Sequence, residues 1–261
     1  MKKPVLLGLL FLPWLCWAQP KGPVAPVPLL SPAEGERQAR ELVAQLLAQK
    51  PTENFTNIQV LKIRGADKKW REIPITFIVL CSPTNFANIY ETAPAASATG
   101  GSRLTILHAG EQPNQYSLTK LFNEPATNAA PRKLDESELS RPFAGSEFWV
   151  GDLGLEFLHW PQQRILYKKM RKEQMCNVLQ STNPRPSAGG YSRVETWIAA
   201  NHPDETIIVH ADGYDAHGEL LKEFDPTKVQ KVHGAYQLEE MEMRNLQTGA
   251  HAKIEFQLDS K

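Results

Sequence analysis

The sequence predicts a mainly β, α+β fold in which about eleven antiparallel strands curl into a half-barrel and helices cover its apolar face. Three observations support this prediction. One long amphipathic helix precedes the strands, most of the following chain alternates apolar and polar residues, and a short helical stretch divides the strands into two groups. A single sheet of this size cannot stay flat because strands twist, so one face becomes concave. Helices lying over that face would enclose a hydrophobic cavity.

The N-terminus has the pattern of a secretory signal peptide. Two lysines precede the apolar run 5–12, which Pro13 ends, and Ala18 is a suitable cleavage point. The run is too short to span a bilayer, which needs roughly 20 residues. Lipid anchoring at Cys16 is the less favoured alternative because bulky residues precede that cysteine. We therefore predict a signal peptide at 1–18, an exported protein and a soluble mature chain.

A long helix begins the folded part of the mature chain. The Pro-rich segment 19–30 is predicted to be an extended tether. Ser31 and Glu34 form a capping box, and apolar residues then follow at helical spacing, which predicts a helix over 32–49. The helix is amphipathic and must lie on an apolar surface. Residues 31–261 are predicted to form one domain.

Period-two alternation predicts about five strands before the helical interruption and six to eight after it. Loops are predicted at 93–102 and at 123–146, the second with one helical turn near 136–139. Two leucines three residues apart, followed by Pro161, predict a short amphipathic helix over 151–161. The predicted strands are 56–64, 71–82, 86–92, 103–109, 115–122, 164–171, 174–181, 190–199, 205–214, 219–225, 228–233, 235–245 and 250–258.

Composition and motifs argue against several classes of function. The 29 basic residues balance the 29 acidic ones, so the net charge attracts neither nucleic acid nor an anionic membrane surface. The sequence contains no G-x-S-x-G elbow and no phosphate- or dinucleotide-binding glycine motif, and its histidines lack metal-ligand spacing. We therefore expect no enzyme, no cofactor, no metal site and no nucleic-acid partner.

Two features of the sequence leave alternatives open. Cys81 and Cys176 either form a disulfide, which export permits, or remain two separate thiols. The basic run 168–172 lies between two strands. It is either a solvated hairpin or a docking patch for a membrane partner.

Five segments of the second half carry a resemblance to a known family: 143–148 (FAGSEF), 151–155 (GDLGL), 191–198 (YSRVETWI), 211–222 (ADGYDAHGELLK) and 238–245 (LEEMEMRN). They resemble the outer-membrane lipoprotein-sorting-like proteins, which are bacterial relatives of the periplasmic lipoprotein carrier. In element order the resemblance runs over 31–258. It implies an unclosed β-barrel with a helical lid that holds acyl chains of a lipoprotein or another lipid in the periplasm.

This resemblance implies a carrier that acts by reversible sequestration. An acyl chain in water costs roughly 0.8 kcal/mol per CH₂ group, so a carrier must shield the chain and still release it. The expected ligand is the acyl part of a lipoprotein or phospholipid, a membrane transporter complex is a candidate partner, and a monomer is expected. The alternative with the same fold is a lipid-sensing accessory subunit of an envelope complex.

Nine apolar residues are candidates for lining the cavity or the lid. Some lie in and just before the helical interruption, and the others lie on strands and are expected to face the concave side. Ordinary core packing is the alternative for all of them. The candidates are Phe148, Trp149, Leu155, Leu158, Trp160, Trp197, Met241, Ile254 and Phe256.

Overall fold

The computed structural model describes residues 30–256, except 66, 95–100, 123–128, 203–204 and 233–234. The predicted signal peptide, the predicted tether apart from Leu30, and most of the predicted loop 93–102 lie outside the described residues.

Thirteen strands of the described chain form one antiparallel sheet. The strand order is β6-β5-β4-β3-β2-β1-β13-β12-β11-β10-β9-β8-β7, so the first and last strands pair in the middle of the sheet. The two free edges, β6 and β7, are consecutive in the chain, and the barrel stays unclosed between them. The strands are β1 (Phe55–Arg64), β2 (Trp70–Cys81), β3 (Phe86–Thr92), β4 (Gly101–Ala109), β5 (Gln112–Leu121), β6 (Arg132–Lys133), β7 (Gln162–Arg171), β8 (Gln174–Thr182), β9 (Arg193–His202), β10 (Glu205–Tyr214), β11 (Leu220–Val232), β12 (Ala235–Asn245) and β13 (His251–Phe256).

Two strand predictions were wrong. The predicted strands 219–225 and 228–233 are one strand, β11, whose ladder with β12 continues through register shifts around Pro226. Proline cannot donate to the ladder, and such an irregularity lets the strand continue past it. The predicted loop 123–146 contains β6, which pairs with β5 but is too short to show any alternation.

Helix α1 (Pro32–Ala48) confirms the first predicted helix and ends one residue earlier than expected. The side chain of Ser31 accepts a hydrogen bond from the backbone N–H of Glu34 at 3.3 Å. Gly35 lets the helix approach β7 closely, because a Cβ atom there would lie 2.6 Å from the carbonyl oxygen of Ile165. Leu42 and Val43 are buried against the sheet.

The segment 134–161 connects the two free edges of the sheet, and we call it the lid segment. It contains 3-10 turns at Glu136–Glu138 and Phe143–Gly145, helix α2 (Val150–Leu153) and a further 3-10 turn at Glu156–His159. The prediction of one continuous helix over 151–161 was wrong. Leu155 has a φ of 50°, in the left-handed region, and this residue separates α2 from the final turn.

Alternation along the strands sorts side chains onto two faces. The inner face is the one on which α1 and the lid segment pack, and it carries two large apolar clusters. The outer face carries a smaller apolar cluster around Cys176 and most of the charged ladder residues. Cys81 and Cys176 are both free thiols. The end of the basic run 168–172 belongs to the β7–β8 hairpin, in which Met170 pairs with Met175.

Candidate functional site

The lid segment fills part of the inner face with apolar side chains. Phe148 is 1% exposed and belongs to the same apolar cluster as the inner-face residues of β1, β2, β12 and β13. Phe143 lies against Tyr90 of β3, with ring centroids 5.9 Å apart. Leu134, Val150 and Leu153 of the lid segment are buried in the same cluster. The lid segment therefore occupies the surface that a ligand of the inner face would contact.

Eight of the nine candidate residues lie on or beside the inner face. Met241, Ile254 and Phe256 are in the cluster that contains Phe148, and Leu155, Leu158 and Trp160 are in the cluster formed with α1. Phe224 of β11 packs against both clusters, so they are adjacent. Trp149 lies beside the cavity that is described below.

Trp197 faces the other way, and the expectation that it lines the concave side was wrong. Its neighbour Ile198 packs with α1, so Trp197 points to the outer face by strand alternation. There it packs with Val178, and its ring centroid lies 4.9 Å from that of His210.

His210 is a buried ionisable residue of the outer face. Its Nε2 lies 2.6 Å from Asp212 Oδ1, and its Nδ1 lies 3.1 Å from Asp225 Oδ1. Burial lowers the pKa of His210, but the hydrogen bonds to the two carboxylates outweigh this effect, so the pKa is raised. Because this group lies on the face away from the lid, it stabilises the sheet and does not contribute to the inner-face site.

A buried lysine holds the lid segment to β11. Lys222 is 1% exposed on the inner face, where its Nζ donates a hydrogen bond to the carbonyl oxygen of Glu147 at 2.6 Å. The same Nζ lies 3.5 Å from the ring centroid of Trp149 and 3.9 Å from Oε2 of Glu147. Burial lowers the pKa of Lys222 to about 8, although the nearby Asp152 and Glu147 carboxylates oppose the change.

Asp152 and Tyr191 complete this group of residues. Asp152 caps α2 by accepting a hydrogen bond from the backbone N–H of Trp149 at 2.8 Å, and it is also hydrogen-bonded by Tyr191. Burial raises the pKa of Asp152. The ring of Tyr191 stacks on Trp149 at 4.5 Å. We call Lys222, Glu147, Trp149, Asp152 and Tyr191 the lysine cluster.

A second polar group holds the lid segment to β5. The hydroxyl of Tyr116 donates to Glu156 Oε2 at 2.8 Å, and Asn114 Nδ2 donates to the carbonyl oxygen of Gly154 at 2.8 Å. A Cβ atom on Gly154 would lie 2.1 Å from the Tyr116 hydroxyl oxygen, so only glycine permits this approach. We call Asn114, Tyr116, Gly154 and Glu156 the tyrosine cluster. The lid segment is thus fastened to both halves of the sheet.

A small cavity lies between the lid segment and the loop that joins β8 to β9. Its volume is about 40 Å³, and Trp149, Asp152, Trp160, Arg185 and Tyr191 are among its lining residues. Pockets for drug-sized ligands are usually about 300–1,000 Å³. This cavity is therefore too small for an acyl chain.

Sequence reasoning missed the polar residues that fasten the lid segment. Lys222 had a detectable signal, because it shares a strand face with Phe224 and so stands at an otherwise apolar position. Asp152, Tyr116 and Glu156 had no such signal. Their partners are distant in sequence, and no local pattern brings them together.

Within the described ranges, no group of three or more His, Cys, Asp or Glu side chains is placed to hold a metal ion. No helix in those ranges is long and apolar enough to cross a membrane.

Several solved structures share this fold. A DUF1329 family protein from Desulfovibrio piger has a TM-score of 0.66 and 16% identity, over 85% of this chain and 91% of its own. A putative outer membrane lipoprotein-sorting protein domain from Vibrio parahaemolyticus has a TM-score of 0.66 and 17% identity, over 88% and 95%. A LolA superfamily protein from Nitrosomonas europaea has a TM-score of 0.56 and 16% identity, over 86% and 92%. These likenesses confirm the predicted fold, a mainly β, unclosed antiparallel barrel of the lipoprotein-sorting type.

No curated protein matches the chain. A family model with the description "Uncharacterized protein" matches residues 97–258, which is more than half of the sequence. The chain therefore belongs to this family of uncharacterized proteins, on a fold that it shares with lipoprotein-sorting domains.

Proposed function

We propose that this protein is a periplasmic carrier that shields the acyl chains of a lipoprotein or phospholipid on the inner face, beneath the lid segment. One observation carries the proposal. Apolar side chains of the lid segment, which include Phe143, Phe148 and Leu153, lie in one cluster with the inner-face side chains of the sheet. An acyl chain of similar apolar area can replace them when the lid segment moves.

The state with the lid segment on the inner face and the state with an acyl chain in its place have similar free energies, so the two can exchange. Burying one side chain such as Val, Leu or Phe contributes roughly 2 kcal/mol, so the five lid side chains buried in this cluster contribute about 10 kcal/mol together. A chain of about ten CH₂ groups gains a similar amount at roughly 0.8 kcal/mol for each group. A long acyl chain can therefore displace the lid segment without a large net cost, and release of the chain lets the lid segment return.

The remaining parts of the proposal are the compartment, the chemistry and the state of assembly. Export rests on the signal peptide predicted at 1–18, and a periplasmic carrier fits the name of the lipoprotein-sorting domain from Vibrio parahaemolyticus. Binding and release need no covalent step, so we propose a carrier without enzymatic activity. We also propose that it works as a monomer, because the inner face and its lid segment come from one chain.

A reversible lock on the lid segment tests this proposal. Ser140 in the lid segment and Ser187 in the β8–β9 loop have hydroxyl oxygens 3.0 Å apart. The two side chains are in contact, so we expect the double variant Ser140→Cys/Ser187→Cys to form a disulfide on oxidation, which free-thiol titration and mass spectrometry verify before binding is measured. We expect the reduced variant to take up a fluorescent fatty acid as the wild type does, and the oxidised variant to exclude it.

The controls separate the parts of the proposal. Each single variant should bind the probe in both redox states, and native mass spectrometry of wild-type protein from the periplasm should detect a co-purified lipid. If neither the wild type nor the reduced variant binds an acyl ligand, lipid carriage is wrong. If the oxidised variant binds as well as the reduced one, the ligand does not enter beneath the lid segment.

A further inference from the structure

Among the described residues, the buried inner-face side chains without a hydrogen-bond partner include Gln59 of β1 and Thr196 of β9, and Gln59 has two such polar atoms where Thr196 has one. Gln59 of β1 is 0% exposed, and its Nε2 and Oε1 atoms are both buried without a partner. Residues two apart in a strand share a face, so Gln59 lies on the same face of β1 as Leu61 and Ile63. Both of these belong to the cluster that packs on the lid segment, and Gln59 therefore points to the inner face. Its ladder neighbours are Ile75 of β2 and Phe256 of β13.

An orphaned amide at this position is unfavourable for folding alone. A glutamine side chain offers two N–H donors and an accepting oxygen, and burial without partners removes all of these bonds to water. A leucine of similar size would fill the same space without that penalty. The ligand-free fold therefore supplies no reason for an amide at this position.

The surroundings of Gln59 define what it could bind. Ile75, its ladder neighbour, pairs on the other side with Thr92 of β3, whose hydroxyl is already engaged by the backbone N–H of Ser102 at 3.1 Å. In the next inner-face rows, Leu61 and Ile73 lie on one side of Gln59, and Asn57 and Phe77 lie on the other. Gln59 thus offers a neutral, unengaged amide that is fully buried beside the apolar side chains of Ile75 and Phe256.

Charged groups of the neighbouring ladder positions point away from this row. Lys62 of β1 and Glu255 of β13 form an ion pair of 2.9 Å on the outer face. A ligand group that meets Gln59 is therefore expected to be neutral. It must also lie next to an apolar chain, since Phe256, Ile75 and Leu61 are the nearest inner-face neighbours of Gln59.

We propose that Gln59 binds the carbonyl group of the ester or amide bond that joins an acyl chain to its head group, once the lid segment has moved. This inference rests on the proposed carrier function and makes Gln59 a specificity-determining residue within it. Nε2 donates to the ligand carbonyl oxygen. An amide ligand also donates its N–H to Oε1, so N-acylated ligands engage both atoms and O-acylated ligands engage one.

Competition binding with ligands of equal chain length tests the inference. An N-methyl amide, a methyl ester and a plain hydrocarbon displace a bound fluorescent fatty acid from the mature protein. We expect the wild type to bind the amide about tenfold more tightly than the hydrocarbon, with the ester between them. In Gln59→Leu this preference should fall to near unity, with hydrocarbon binding retained.

The matched control is Thr92→Val, which removes a polar group from the same row. Because the Thr92 hydroxyl is already engaged by Ser102, the ligand preference of this variant should equal that of the wild type. Thermal melting of both variants without ligand checks the fold, and Gln59→Leu should melt no lower than the wild type.

The outcomes separate this inference from the carrier proposal. A wild type that binds the amide and the hydrocarbon equally, or a Gln59→Leu variant that keeps the preference, overturns the role of Gln59 and leaves acyl binding intact. An ordered water at Gln59 in place of a ligand group gives the same lack of preference. A wild type that binds none of the ligands overturns the carrier proposal itself.

Discussion

Burial of Lys222 beneath the lid segment should make folding stability depend on pH in a predictable direction. An unfolded lysine has a pKa of 10.5, whereas the folded Lys222 has a pKa of about 8 because the lid segment shields it from water. Between these values the unfolded chain binds more protons than the folded one. The free energy of unfolding should therefore rise with pH in this range.

The size of the effect follows from the two pKa values. Proton linkage predicts that Lys222 alone raises the free energy of unfolding by about 2 kcal/mol between about pH 7 and about pH 9.5. Replacement by methionine keeps a side chain of similar length without the ionisable group. The stability of Lys222→Met relative to the wild type should therefore fall by about 2 kcal/mol over the same interval.

Urea unfolding followed by tryptophan fluorescence measures both proteins at several pH values. Lys133→Met is the matched control, because it makes the same replacement at an exposed position on β6. The reasoning is refuted if Lys222→Met and the wild type change in parallel. Parallel curves would mean that Lys222 is hydrated in solution and that the lid segment does not cover it.

Three further predictions concern the lid segment and the outer face. Phe148→Ala should lower the free energy of unfolding by about 3–5 kcal/mol, as urea titration can measure, because the ring is fully buried among apolar side chains. Gly154→Ala should increase hydrogen exchange in the lid segment because its Cβ atom would lie 2.1 Å from the Tyr116 hydroxyl oxygen, whereas Gly151→Ala, whose nearest contact is 3.4 Å, should not. The raised pKa of His210 should stabilise the fold fully below about pH 6.5 and lose that effect as the pH rises through the folded pKa, so a pH titration of His210→Asn should lack this dependence.

The sequence predicted strands best where one face is dry and the other wet. On β13, Ile254 is buried on the inner face while Lys253 and Glu255 face outward. This alternation shows from the sequence which residues of the strand face inward. On β9 the sequence does not show which residues face inward. Trp197 and Ile198 are both buried, each on a different face of the sheet. Trp197 was assigned to the wrong side for this reason: the outer face has an apolar cluster of its own, and alternation disappears where both faces are buried.

The polar contacts of the site could not be predicted from local patterns. Lys222 and Glu147 are separated by 75 residues, and Tyr116 and Glu156 by 40. Lys222 stands out locally as a lysine on the same strand face as Phe224, but the sequence around Glu147, Tyr116 and Glu156 is that of ordinary strand or turn residues. Only the strand order, which places β5 and β11 on the two sides of the lid segment, brings the partners together.

The connectivity of the lid segment limits how the inner face can open. The segment runs directly from the edge strand β6 into the edge strand β7, so both of its ends are attached to the sheet. It cannot swing away as a terminal flap, and opening must instead bow its middle outward while the ends stay in place.

Bowing breaks the lysine cluster and the tyrosine cluster and withdraws Phe148 from the inner face. Because the ends stay attached, the same apolar side chains are held close to the surface they left. In the proposed carrier they would compete with the bound acyl chain within one molecule. The proposed carrier must both retain and release its ligand. The polar contacts of the two clusters can break and re-form, and the tethered apolar side chains of the lid segment can cover the inner face again after release.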